Sequence, residues 1–280
     1  MTTPARATQV AVIQHCAGTD VAANLATLSH LSRQAVDAGA EVVMWAEAFA
    51  YLGRHAGKTE ILEPLPQGGP ILAECAELAS SLQCDLLLGG FHEAVPNEPE
   101  RCFNTSVYLT RSGEIAASYR KIHLFDVQIS DGPRLMESKQ TEAGTKTEVV
   151  TTPFGELGLT VCYDVRFPDL YQSLVNQGAI ALSVPSAFTA TTGAVHWHTL
   201  LRARAIECQS YVIAPAQHGQ HSANRSSYGH SLIVDPWGKI LAEIPQGDGF
   251  GIETIDTEEG ARVRQELPLI HNCRCRRRLR

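Results

Sequence analysis

Short apolar segments alternate with helix-period segments along this chain, and that order limits its fold more than any single residue does. Residues 10–14, 41–45 and 85–91 read as strands, and the third is apolar almost throughout, the pattern of a strand buried on both faces. Between the first two, residues 22–38 place Leu25, Leu28, Leu31 and Ala35 at helical spacing and stop at Gly39. Residues 70–83 start on Pro70, suited to a first helical turn, with Leu72, Ala76, Leu78, Ala79 and Leu82 inward. Two hairpins follow, 103–110 with 115–119 and 148–152 with 157–162. A helix at 168–177, a strand at 180–185, a helix at 195–210 and a strand at 211–216 resume the alternation. Residues 229–235 and 239–244 pair across Pro236-Trp237-Gly238, then a strand at 249–255 and a short helix at 257–265 close it. This order predicts an α/β fold, a mixed sheet system covered by helices. The polar stretch 126–147 reads as a long functional loop.

Composition narrows the setting. Neither a break in composition nor a repeat divides the 280 residues, so one domain over 1–280 is expected, with a core fed by a 44% hydrophobic content. No run approaches the ~18 apolar residues that span a bilayer. Met1-Thr2-Thr3-Pro4-Ala5-Arg6 lacks the apolar region of a secretory leader, so a cytoplasmic location and no membrane partner are expected. A net charge of −7 argues against a nucleic-acid partner. The eight cysteines show no disulfide-framework spacing and read as reduced thiols, with Cys75, Cys84 and Cys208 inert in apolar patterns. Cys273-Arg274-Cys275 has no second pair, and His196 and His198 occupy alternate helix positions that do not face one point. Neither a metal nor a cofactor is expected.

Three residues carry the chemistry. Cys162 ends the apolar run 158–161 and enters Tyr163-Asp164-Val165-Arg166-Phe167-Pro168. Glu47 follows the apolar run 42–46, and Lys121 follows the strand-like 115–120. Each lies just past a strand, so the three could converge at one sheet edge as nucleophile, base and electropositive partner. That kit hydrolyses an amide or a nitrile. Lys121 would favour the thiolate and Glu47 would take the thiol proton, with Lys121 and the Tyr163 N–H receiving the oxyanion. Glu47 would then act as acid and again as base, a role that favours a carboxyl pKa raised towards neutrality by Trp45, Ala46 and Phe49. Singly, each residue has a plainer reading: a core thiol, a helix-capping or exposed carboxylate, a surface cation.

The motifs around these residues are similar to those of the nitrilase, or carbon–nitrogen hydrolase, superfamily. Trp45-Ala46-Glu47-Ala48-Phe49, Tyr119-Arg120-Lys121-Ile122-His123-Leu124-Phe125-Asp126 and 161–168 resemble its glutamate, lysine and cysteine motifs. Gly89-Gly90-Phe91-His92-Glu93, Asn104, His196-Trp197, 202–207 and 228–238 extend the likeness over about residues 8–270. The resemblance implies a four-layer αββα sandwich, packed across a homodimer into an αββα–αββα stack. It also implies a second glutamate near the nucleophile and lysine, matched by Glu137. Pro185-Ser186-Ala187-Phe188 and Ser227-Tyr228-Gly229-His230-Ser231 resemble the branch that cleaves deaminated glutathione to α-ketoglutarate and cysteinylglycine. An ω-amidase of α-ketoglutaramate, or an N-carbamoyl or nitrile hydrolase, is the alternative, and a non-catalytic binding protein is disfavoured by retention of all three residues. A 2-oxo acid calls for a cation. Arg166 is the candidate against a plain salt bridge to Asp164 or Asp169, with Tyr163, Phe188 and Thr192 as further substrate-binding candidates. Two departures stand out. Ala46 replaces the proline that usually precedes the glutamate, leaving that turn less restrained. The chain ends in a basic tail, 272–280, read as a solvated, mobile end.

Overall fold

The computed structural model describes residues 7–128 and 134–268. The tail at 272–280, with Cys273 and Cys275, lies outside the described residues, as does Gly132-Pro133 of the polar stretch. Two sheets form the centre. The first runs in the spatial order Gly249–Ile255, Thr8–Gln14, Val42–Met44, Asp85–Val95, Glu98–Leu109, Ile115–Arg120, and Thr141–Glu142 also pairs with the Glu98–Leu109 strand. The second runs Ile240–Ile244, Ser231–Val234, Tyr211–Ala214, Ala181–Ser183, Gly155–Leu159, Val149–Thr152.

Strand periodicity sets the layers, because successive side chains leave opposite faces of a sheet. Val10, Val12, Val42 and Met44 share a core with Leu157, Leu159, Val161 and Leu182 of the second sheet. Their neighbours Ala11, Ile13, Val43, Leu86 and Leu88 instead pack on Leu25, Leu28 and Leu31 of helix α1 (Val21–Asp37) and on Leu72, Cys75 and Leu78 of a helix at Pro70–Leu82. The second sheet is covered by the helices at Pro168–Asn176 and Ala190–Cys208, through Tyr171, Leu174, Trp197, Leu201 and Ala205. The result is the expected αββα sandwich. Counting the short helix α2 (His55–Thr59), the remaining helices are α3 (Pro70–Leu82), α4 (Pro168–Asn176), α5 (Ala190–Cys208) and α6 (Thr257–Glu266).

The structure departs from the sequence reading where polar residues carry regular structure. The Asp85–Val95 and Glu98–Leu109 strands extend beyond the expected 91 and 103, because Glu93 pairs with Phe103 and Ala94 with Cys102 despite the charged tip. Helix α2 and the hairpin His218–Ser222 with Arg225–Tyr228 have no apolar period and were not anticipated. The stretch 126–147 holds the paired strands Asp126–Gln128 and Arg134–Met136, a 3-10 turn Glu137–Lys139 and the strand Thr141–Glu142. Helix α5 starts at Ala190, five residues before the expected 195. No helix among the described residues is long and apolar enough to cross a membrane.

Candidate active site

Glu47, Lys121 and Cys162 each sit two or three residues or fewer past the end of a strand, and the three strands end at one edge of the sandwich. The Val42–Met44 and Asp85–Val95 strands run parallel, and two antiparallel steps bring Ile115–Arg120 into the same direction. Gly155–Leu159 supplies Cys162 from the facing sheet. Chain reversal at these ends is sharp. Cys162 has φ 49° and Ala48 has φ 57°, both in the left-handed region that L-residues enter at a cost. The Cys162 amide is tied to the Pro185 carbonyl at 2.9 Å, so the thiol is presented on a fixed turn. The Ala46 turn gains restraint elsewhere, since Gln217 Nε2 donates to the Glu47 carbonyl at 3.1 Å.

Lys121 is 1% exposed, yet its ammonium donates to Glu47 Oε1 and to Glu137 Oε2, each at 2.9 Å. Asn104 Nδ2 bridges the same two carboxylates, 2.8 Å from Glu47 Oε1 and 3.1 Å from Glu137 Oε1. The Ala187 amide donates to Glu47 Oε2 at 2.8 Å, and the Phe125 amide to Glu137 Oε2 at 2.7 Å. Asp164, fully buried, joins the cysteine and lysine turns: it accepts from the Val161 amide, Tyr119 Oη, and the His123 amide and Nδ1. Asn104 and Asp164 were quoted from the motifs without a site role, and no pattern in the sequence singles out the Ala187 amide.

Electrostatics define the resting protonation. Burial, the largest single cause, works against ionised Glu47, but Lys121, Cys162 and Asn104 together outweigh it and hold the carboxyl below its ordinary range. Burial likewise disfavours charge on Lys121, and Glu137 with Glu47 overcomes it, so the ammonium persists well above its usual pKa. Burial, then the Glu47 charge, push the Cys162 thiol up. The expected rise of the Glu47 pKa towards neutrality is therefore corrected: the Lys121 cation and the hydrogen bonds to Glu47 together outweigh the apolar surround. The resting group is carboxylate, ammonium and thiol, with Cys162 hydrogen-bonded to Glu47. Of the two expected routes to the nucleophile, proton transfer to Glu47 fits this state and a standing thiolate does not. Cys75, Cys84 and Cys208 are buried with thiol pKa values also raised by burial, as expected of inert thiols.

Glu47, Asn104, Lys121, Glu137 and Cys162 line a cavity of about 530 Å³. Its walls include Tyr163, Phe188 and Thr192, all three named from the sequence. Arg166 is not among the lining residues. Its guanidinium lies 5.0 Å from the Phe188 ring and 5.7 Å from the Tyr163 ring, next to His196 Nδ1 at 3.4 Å. Asp164 is engaged elsewhere, and neither it nor Asp169 forms an ion pair with Arg166 among the described residues. His198, Glu243 and His230 bring three donor atoms within 4.8 Å of one another away from the cavity lining, but Glu243 Oε1 already bonds both imidazoles. His196 turns to Arg166 instead, as alternate helix positions require.

The carbon-nitrogen hydrolase model matches residues 9–265. This chain belongs to the carbon-nitrogen hydrolase family. The human deaminated glutathione amidase is 42% identical over 269 residues, covering 95% of this chain and 82% of that protein. The deaminated glutathione amidase of Synechocystis is 41% identical, covering 94% of this chain and 96% of that one. Among solved structures, the C. elegans NitFhit protein superposes with a TM-score of 0.90 at 37% identity; 96% of this chain is matched, over 65% of the longer worm chain. Saccharomyces cerevisiae Nit3, described as a member of branch 10 of the nitrilase superfamily, gives 0.85 at 29% identity, covering 94% and 95%. The carbon-nitrogen hydrolase fold read from the sequence is the fold observed, and the protein is an enzyme of that family.

Proposed function

We propose that this carbon-nitrogen hydrolase is an amidase that cleaves deaminated glutathione to α-ketoglutarate and cysteinylglycine through a thioester on Cys162. The observation that carries the reading is buried Glu47 and Lys121 beside Cys162 in one cavity, with half-buried Glu137 bonded to the same ammonium. The relatives named deaminated glutathione amidase support the substrate.

In this reading the thiol attacks the amide carbon as Glu47 takes its proton. An ammonium has three N–H donors. Lys121 uses one on each carboxylate, which leaves the third for the oxyanion, alongside the Tyr163 N–H. The C–N bond then breaks, and Glu47 passes its proton to the departing amine. Water, deprotonated by Glu47, adds to the thioester, and the thiol leaves with the proton returned. Glu137 keeps Lys121 charged while Glu47 is neutral. Tyr163, Phe188 and Thr192 enclose the substrate, and Arg166 attracts the 2-oxo-acid carboxylate from behind the Tyr163 and Phe188 rings.

The whole chain acts as one catalytic domain without a cofactor. Free cysteines suit a reducing, cytoplasm-like compartment. A homodimer is part of the same proposal: Val195 (70% exposed) and Ile206 (44%) lie about three turns apart on one face of α5, and Ile206 packs beside Gly238, the residue after the exposed Trp237. Steady-state assays with deaminated glutathione and α-ketoglutaramate, followed by acid quench and mass spectrometry, test the activity. An acyl adduct on Cys162 and preference for deaminated glutathione are expected. Preference for α-ketoglutaramate would reassign the enzyme as an ω-amidase, and hydrolysis without an adduct would remove covalent catalysis.

A further inference from the structure

Two cations at the cavity wall take no part in the chemistry above. Lys58 lies on α2 and Arg225 begins the second strand of the His218–Tyr228 hairpin, and both line the cavity. They approach from different walls. Helix α2 is fastened to the Glu98–Leu109 strand, where His55 Nε2 bonds the Glu100 carbonyl at 2.8 Å. The hairpin is fastened beside α5, through the Tyr228 amide on the Phe188 carbonyl at 2.9 Å. The carboxylates among the described lining residues are Glu47 and Glu137, and both are bonded to Lys121. Neither Lys58 nor Arg225 has a carboxylate within ion-pair distance among the described residues. Both are close enough to His92, itself a lining residue, to disfavour its charge, and His92 in turn feels Glu47. Burial, the larger cause, drives the His92 pKa down to about 3, so that imidazole adds no charge of its own. The part of the lining around His92, which also feels Glu47, is therefore cationic and unneutralised among the described residues.

Reaction geometry decides what that wall meets. Glu47 must reach the scissile nitrogen to protonate it, so the amine half of the substrate lies on the Glu47 side of Cys162. The acyl half then lies on the side of Cys162 away from Glu47. We infer that Lys58 and Arg225 form an anion subsite that holds the carboxylate at the far end of the amine leaving group. The inference rests on the amidase reading and adds to it the feature that separates peptide-like amides from primary amides. α-Ketoglutaramate shares the acyl half but releases ammonia, which carries nothing for this subsite to hold. A guanidinium and an ammonium converging on one carboxylate give charge-assisted hydrogen bonds. Arg225 is exposed, so its attraction is screened by salt.

The test compares wild type with Lys58→Met, Arg225→Met and the double variant. The substrates are deaminated glutathione, its analogue with the terminal glycine carboxylate amidated, and α-ketoglutaramate. The double variant is expected to lower kcat/KM for deaminated glutathione about tenfold more than for α-ketoglutaramate, mainly through KM. In wild type, amidating the glycine carboxylate should cause a similar loss, and the double variant should barely distinguish the two forms. Raised salt should increase KM for deaminated glutathione in wild type more than in the double variant. Equal losses on all three substrates, or none, overturn the subsite while leaving the amidase reading intact. Wild-type enzyme that hydrolyses neither oxo-acid amide overturns both.

Discussion

Glu47 accepts hydrogen bonds from Lys121, Asn104 and the Ala187 amide while buried, and that saturation keeps a base ionised beside an uncharged thiol. Replacing it with Gln preserves shape but removes the proton acceptor. We expect Glu47→Gln to lower kcat by about 10²–10⁴-fold, with Cys162 still present to alkylating reagents. Cys162→Ala should abolish turnover without changing the circular dichroism spectrum, and residual activity in it would refute covalent catalysis. Arg166→Ala should weaken 2-oxo-acid amides more than neutral amides in a parallel kcat/KM series, and equal losses would remove its carboxylate role. The charge cluster also fixes the pH dependence of stability. A carboxyl whose folded pKa is depressed stabilises the fold above its ordinary value of 4.5, and that contribution is lost as pH falls through and below it. A raised lysine stabilises below its ordinary 10.5 and loses that contribution above it. Urea midpoints should therefore fall on acidification below about pH 4.5, and fall less in Glu47→Gln. An identical acid dependence in both proteins would show that Glu47 does not carry the effect.

At the scale of elements, strand ends and their turns hold the site. Gly90 has φ 73°, and a Cβ there would stand 2.7 Å from the Ala48 amide and 2.8 Å from Glu47 Cγ. Gly90→Ala should cost on the order of 1–3 kcal/mol of stability and displace Glu47, seen as a lowered melting temperature with a larger proportional loss of kcat. Retained kcat would mean that Glu47 is placed independently of that strand. The motif containing Gly89-Gly90 was legible, but its reason was not, because a glycine's neighbours come from distant chain. The same holds for Asp164. From sequence it was, with Asp169, one of two possible ion-pair partners in the plainer reading of Arg166; folded, it receives donors from the lysine and cysteine turns. The long polar stretch reads from sequence as a functional loop, but its 3-10 turn, which sets Glu137 against Lys121, has no period to read. Helix α2 and the Arg225 hairpin were missed for the same reason: short polar elements are stabilised by tertiary contact and not by an apolar stripe.

At the scale of the molecule, two sheets facing each other create the cavity, since neither alone presents both a cysteine and its base. The exposed apolar face of α5 extends the argument outward. Val195→Glu should raise the monomer fraction in sedimentation equilibrium while the melting temperature of the monomer stays near that of wild type. A wild-type protein that sediments as a monomer would remove the dimer from the proposal.

Local order along the chain was enough to set an α/β fold of mixed sheets covered by helices, because strand and helix periodicity are written in consecutive residues; the αββα layering came from the resemblance to the nitrilase superfamily. Strand-end placement also singled out Glu47, Lys121 and Cys162 as candidates, and the resemblance added Glu137. Only the folded chain decided their protonation, since the pKa of Glu47 depends on an ammonium 74 residues away held at 2.9 Å. The cavity and its cationic wall belong to the same category. Lys58 and Arg225 carry no motif, and they line one cavity only because α2 and the hairpin are anchored on opposite sheets' flanks.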